Sequence, residues 1–342
     1  MKKLVTLFVV VSTLSVVHGQ LIKRDFLTGY SANQDLEKGT YNSTTQGEGT
    51  PIMMNQWSLS GKADANNQNG ANPKTDESLF FTGYAESGVD VSIKMEKLET
   101  GGRTSIYSIA SDNTYGAGTY YLALMINLKS ASMTTATDFV SFDGNYTGNA
   151  QRVRLTVKAI DETNYQLGVS GDTSPATTFS TKTLNMDQTH LVVIKATIDG
   201  TGAGNSWIFI NPEITGAEPS SADASAAITG TALKSLRGIV IRQRSTYDGH
   251  LGGFRLASSW SSVLGEVSGL NGIFGERREI VVTGNEIITN AVGQLKVYSL
   301  SGTELISALV DGSYTTNLNN GLYIVRFTDT KGTVSSAKIQ IR

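Results

Sequence analysis

YYLALMINLK, residues 120–129, sets Tyr120, Leu122, Leu124, Ile126 and Leu128 on one face of an extended chain. A period of two marks a strand with one side against a core, whereas a helix would need apolar residues at spacings of three and four. The same alternation recurs on both sides of this stretch. RVRLTVKA aligns Val153, Leu155, Val157 and Ala159 opposite Arg152, Arg154, Thr156 and Lys158, and VDVSIKM aligns Val89, Val91, Ile93 and Met95. HLVVIKATID, SWIFIN, RGIVIRQR and GGFRLAS continue the series. Turn chemistry punctuates it at Gly171-Asp172, Asp199-Gly200 and Asp143-Gly144-Asn145. The helices expected are short, at residues 222–227, where Ala is dense, and at 259–264. Residues 28–78 are polar and read as long loops with a few short strands, Trp57 serving as a buried anchor. Without an internal linker, residues 20–264 read as one large two-sheet sandwich.

Composition agrees with strands. The chain has 342 residues with 36 Gly, no Cys and only 17% charged residues. No disulfide, thiolate metal site or Cys nucleophile is available, and a net charge of −2 gives no basic field for nucleic acid. The first residues, MKKLVTLFVVVSTLSVVHG, place two lysines before an apolar run at residues 4–17. As a helix that run spans roughly 21 Å, too short for a bilayer core of about 30 Å. With Val17 and Gly19 before the cut, it reads as a signal peptide, residues 1–19, removed ahead of Gln20. No other apolar run reaches transmembrane length, so the expected location is secreted or cell-surface.

From residue 279 the texture changes to short strands at tight spacing, after a Gly-rich linker at 265–278. In LYIVRF, Tyr323, Val325 and Phe327 face one way while Leu322 and Ile324 face the other, and Ala337, Ile339 and Ile341 share a face of the last strand. These features describe a small C-terminal β-sandwich. The runs VYSLSGTEL, LNNGLYIVRF and AKIQIR resemble the C-terminal sorting domain of the type IX secretion system of Bacteroidetes, carried here by Gly302, Gly321, Tyr323 and Lys338. The resemblance implies that residues 279–342 are an export signal read by outer-membrane secretion machinery, after which the protein is released or attached outside the outer membrane. The usual Pro-Asn-Pro near the start of such tails is missing.

SLFFTGYAESG, YYLALMINL with DFVSFDG, VVIKATIDGTGAGNSWIFINP and LRGIVIRQRSTYDGHLGGFRLASSW together resemble the concanavalin A-like lectin/glucanase superfamily, in its laminin-G-like branch. That resemblance implies an all-β chain: a large antiparallel jelly-roll β-sandwich followed by the small C-terminal one. It leaves lectins, adhesion modules and glycosidases open.

Glucanases of this type carry two Glu on one strand face, as E-x-D-x-E or a close variant, for acid and nucleophile. No such string occurs, Glu96 and Glu99 fall on opposite strand faces, and no catalytic residue is assigned. The candidate ligand residues sit in three polar, aromatic turns. They are Asp112, Asn113 and Tyr115; Asp143, Asn145 and Tyr146; and Tyr247, Asp248 and His250. Aromatic faces beside Asp and Asn suit sugars, whose C–H faces stack while their hydroxyls hydrogen-bond. The same oxygens would suit Ca²⁺. His190 begins a strand and reads as a structural histidine, while Arg242 and Arg244 share a face with Val240 and are placed on a solvated sheet surface. The function expected is non-catalytic binding of carbohydrate or glycoconjugate. The alternatives are a divergent glycan-active enzyme (glycoside hydrolase or lyase) and a structural or adhesive surface component.

Overall fold

The computed structural model describes residues 21–40, 54–60, 70–145, 150–172, 178–214, 216–265, 280–283, 285–330 and 334–341. The chain divides into two compact units, Met1–Gly265 and Glu266–Arg342.

The larger unit is a two-sheet β-sandwich. One sheet contains β1 (Leu21–Lys23), β4 (Lys74–Asp76), β5 (Ser92–Met95), β7 (Gly118–Ala131), β13 (Thr189–Ile198), β14 (Gly204–Ile210), β15 (Ala224–Ile228) and β17 (Tyr247–Ala257). Its order is β15-β14-β13-β7-β17-β5-β4, with β1 also on β17. The other contains β2 (Gly39–Thr40), β3 (Trp57–Leu59), β6 (Gly102–Ser108), β8 (Thr137–Asp143), β9 (Gln151–Ala159), β10 (Asn164–Ser170), β11 (Thr178–Phe179), β12 (Leu184–Asn185) and β16 (Gly238–Arg244). Its order is β11-β10-β9-β8-β16-β6-β3-β2, with β12 on β10. Every pairing in the two sheets is antiparallel except β2 with β3.

The alternations put their apolar faces into the gap between the sheets. Tyr120, Leu122, Leu124, Ile126 and Leu128 from β7 meet Val153, Leu155 and Val157 from β9 in one buried cluster. Trp57 is fully buried, donates from Nε1 to the Phe26 carbonyl at 3.1 Å, and packs edge-on against Tyr107 at 5.4 Å. His190 keeps the structural role expected of it. Its Nε2 lies 3.2 Å from the Asn185 carbonyl and its Nδ1 3.0 Å from Asn211 Nδ2, and burial lowers its pKa.

The outer face of the eight-stranded sheet is covered by a short helix, α1 (Trp260–Leu264), begun by the Ser259 cap and ended by Gly265 at φ +90°. Trp260 packs on Phe209 with ring centroids 4.9 Å apart, within a second buried cluster containing Tyr84, Tyr121, Met125 and Leu191. Beneath this cover lies an ion pair, Glu86 Oε1 to Arg255 Nη1 at 2.5 Å.

Four sequence expectations change. Residues 222–227 are not helical: they enter β15, which adds to β14 with Ser225 opposite Trp207 and buries Ala224 and Ile228. A run of six residues is too short to hold a helix alone, and a free sheet edge lies beside it. VDVSIKM is a strand only from Ser92, and Val89 is 57% exposed. Arg242 is not solvated but buried, bonded to Asp138. Tyr247, Asp248 and His250 lie in strand β17, because the β16–β17 connection is made by Ser245 and Thr246.

The smaller unit is one antiparallel sheet of β18 (Val281–Thr283), β19 (Glu286–Ser299), β20 (Glu304–Thr315), β21 (Gly321–Asp329) and β22 (Val334–Ile341). Its own core joins Ile287, Leu295, Val297, Val325, Phe327, Ile339 and Ile341. Gly302 turns the chain between β19 and β20 at φ +85°, a conformation that favours glycine. Gly321 opens β21, the Tyr323 hydroxyl donates to the Asn319 carbonyl at 2.8 Å, and Lys338 pairs with Ile324 in the ladder.

Candidate functional site

Two of the three candidate turns meet. The turn before β7 and the turn after β8 border a hollow of about 420 Å³ lined by Asn113, Gly144, Asn145, Lys234, Ser235 and Arg237, with Ala232 beside them. Asn113 is oriented from below: its Oδ1 accepts from Ser235 Oγ at 2.9 Å and from Arg237 Nη2 at 2.7 Å. Arg237 also donates from Nε to Ser235 Oγ at 3.1 Å, which holds the guanidinium against the wall. A Cβ on Gly144 would lie 2.0 Å from the Ala232 carbonyl oxygen, so glycine there lets the two loops touch. The exposed Lys234 completes a rim rich in hydrogen-bond donors, suited to hydroxyl-bearing or anionic ligands.

The aspartates of these turns hold the backbone. Asp112 Oδ1 accepts from the Thr114 hydroxyl at 2.5 Å and from its amide at 2.9 Å, which together keep its carboxyl below the usual range. Asp143 is fully buried and accepts from the amides of Asn145 at 2.6 Å and Ala150 at 3.0 Å. Burial outweighs these bonds and pushes its carboxyl up to about 7. Tyr115 packs edge-on against Tyr120 at 6.4 Å and is half-buried against the core. Tyr146 lies outside the described residues.

The third cluster is elsewhere. Tyr247 is a core residue, fully buried against Phe139 with its hydroxyl donating to the Arg242 carbonyl, and offers no platform. His250 pairs with Asp76 at 3.0 Å on the eight-stranded sheet. Among the described residues, no group of three or more His, Cys, Asp or Glu gathers to hold a metal ion. No helix among them is long and apolar enough to cross a membrane.

Sequence reading missed Lys234 and Ser235, because ALKSLRG carries no aromatic or Asp/Asn signal. It also missed the carboxylates spent on ion pairs across the fold. Glu37 receives Arg103 Nε at 3.1 Å and Ser105 Oγ at 2.7 Å, and Glu218 receives Tyr121 Oη at 2.7 Å and Lys195 Nζ at 2.6 Å.

No protein-family model matches the chain, and no curated protein matches it in sequence. Similar solved structures include the endo-β-1,4-glucuronan lyase of the fungus Trichoderma reesei, 8% identical over 55% of this chain and 96% of that one, with a TM-score of 0.33. A protein of unknown function from Shewanella oneidensis MR-1 is 13% identical over 69% and 89%, with a TM-score of 0.33. The carbohydrate recognition domain of Emp47p is 10% identical over 56% and 90%, with a TM-score of 0.29. Likenesses this remote carry no argument about activity; the fold rests on the strands and registers described above.

Proposed function

We propose that this chain is an exported, non-catalytic carbohydrate-binding protein whose ligand sits in the hollow between the Asn113 and Asn145 turns. The observation that supports this reading is their convergence: two turns about thirty residues apart in sequence share one pocket with Lys234 and Arg237. The lining supplies amide, ammonium and guanidinium donors at fixed positions, and a sugar offers dense hydroxyl acceptors to match them. A glycan array probed with the full mature chain tests it. Binding to a defined glycan set, weakened tenfold or more by Asn145→Ala with Lys234→Ala, is the expected result. A blank array leaves a structural or adhesive role instead, and binding indifferent to both substitutions overturns the hollow as the site.

The export reading belongs to the same proposal. Residues 1–19 are removed on entry to the periplasm, and residues 279–342 then address the chain to the outer-membrane secretion machinery. Deleting residues 280–342 is expected to strand the rest of the chain in the periplasm. Its normal appearance outside the cell would refute the address.

A further inference from the structure

Strand β17 bulges beside a second hollow. β7 runs along one edge of β17, while β5 and β1 share the other. β5 pairs with Gly249–Leu251 and β1 with Leu256 and Ala257. Between these two stretches the register shifts from Gly252 to Arg255, and Gly253 takes φ +58°. A bulge bends its strand and interrupts the ladder locally. Between β1 and the approach to β5 lies a hollow of about 420 Å³. Its apolar lining is Leu21, Ile22 and Val89, and its polar lining includes Arg24, Thr28 and Asp90.

One wall of the hollow belongs to the segment 79–90, which is tied to the bulge. The Tyr84 hydroxyl donates to the Gly253 carbonyl at 2.7 Å, Glu86 pairs with Arg255, and the Gly88 amide donates to the Leu79 carbonyl at 2.9 Å. Gly88 sits at φ +69°, and a Cβ there would lie 2.4 Å from a ring carbon of Phe80. Glycine thus lets the ring rest on the backbone next to Val89. Phe80 is 70% exposed and Val89 57%, so two apolar side chains face solvent here. The charges balance. Lys23 pairs with Asp25 at 2.7 Å, and Glu86 is taken by Arg255. Arg24 and Asp90 remain, half-buried, and form no ion pair among the described residues. Burial, then the Glu86 charge, raises the Asp90 pKa, and Arg24 opposes this without contact.

We infer that this hollow is a second saccharide site, taking a neutral sugar whose C–H face packs on Phe80 and Val89 while adjacent hydroxyls bridge Arg24 and Asp90. A hydroxyl both donates and accepts, so one ring edge can serve a guanidinium and a carboxylate that do not meet each other. Hydrogen bonds to such ionised groups are the strong ones. Three cations against three carboxylates give an ionic ligand no advantage. The volume falls within the roughly 300–1,000 Å³ of small-ligand pockets, and a wall already tied to β17 spares the ligand the cost of ordering it. The site shares the ligand class proposed above and none of the residues of the Asn113–Asn145 hollow, so either stands without the other.

Four neutral hexasaccharides test it: cellohexaose, laminarihexaose, maltohexaose and mannohexaose. Each is titrated calorimetrically into the full mature chain carrying Asn145→Ala with Lys234→Ala, which disables the first hollow. At least one should bind. Adding Phe80→Ala should weaken that binding tenfold or more, whereas Phe80→Tyr, which keeps an aromatic face, should hold it within threefold. Asp90→Asn should cost tenfold and Arg24→Gln threefold or more. Phe80 is exposed, so its replacement keeps the test open if a change at half-buried Asp90 or Arg24 disturbs folding. Binding of none of the four, or binding unchanged by Phe80→Ala or by Asp90→Asn, overturns the second site. Array glycans that the unsubstituted chain binds and the Asn145→Ala with Lys234→Ala variant loses would then leave the first hollow standing. Array binding that survives that pair and is lost with Phe80→Ala overturns the first hollow and keeps the second.

Discussion

Arg255→Ala is expected to lower the stability of the larger unit by about 3–5 kcal/mol. Arg255 and Glu86 are 2.5 Å apart with side chains 7% and 6% exposed, so removing the cation strands a carboxylate out of water. The loss also removes one tie to helix α1, because Arg255 Nε donates to the Ser262 carbonyl at 2.7 Å. Removing both partners is a different matter. Glu86→Leu with Arg255→Met leaves no buried charge, and buried pairs exchanged for apolar side chains of similar size often come out near neutral. The double variant should therefore recover most of the stability lost by Arg255→Ala. The chain's three tryptophans, Trp57, Trp207 and Trp260, all lie in the larger unit, so denaturant unfolding followed by tryptophan fluorescence reads that unit alone. A double variant as unstable as Arg255→Ala would show that the pair's charge is not what holds this face.

Asp143→Asn should remove a pH dependence of stability worth up to about 4 kcal/mol. The folded carboxyl titrates at about 7, well above its ordinary 3.8, because it is buried beneath the 143–145 turn. Between those two values the folded protein holds a proton that the unfolded chain releases. Stability from this group is therefore full at low pH and falls as pH rises through 7. His190 acts in the opposite direction, since its lowered pKa makes the folded state lose stability as pH falls. The wild-type-minus-variant difference cancels that contribution. Asn cannot accept both the Asn145 and Ala150 amides, which adds a constant penalty and no slope. Urea midpoints from pH 4.5 to 8.5 measure the difference, and a flat line would contradict the buried-acid account.

Strand faces were legible in the sequence because a core on one side imposes a period of two. Tyr120 to Leu128, Val153 to Val157 and Ile339 with Ile341 all turn inward as their alternation requires. Local rules failed where a distant strand decided the outcome. Residues 222–227 became an edge strand because β14 stood open beside them. Asp-Gly at 248–249 looked like a turn, but the chain had already turned at Ser245-Thr246, leaving Tyr247 to fill the core. At the candidate site the two turns could be read separately, and their meeting could not. Asn113 and Asn145 come together only because β16 lies between β6 and β8, which carries Ser235 and Arg237 to both. The Arg154–Asp138–Arg242 cluster, in which Asp138 bonds both guanidiniums, was hidden for the same reason: its members come from three strands.

The pairing of β1 with β17, Leu21 opposite Ala257, fixes an order of events during synthesis. A chain made from its amino end must carry its first strand without a partner until β17 has left the ribosome. Closure of the sandwich is thus a late, long-range step, slow in the way that non-local β pairings are. Within the larger unit, the first described strand is locked in place only once the last one has been made.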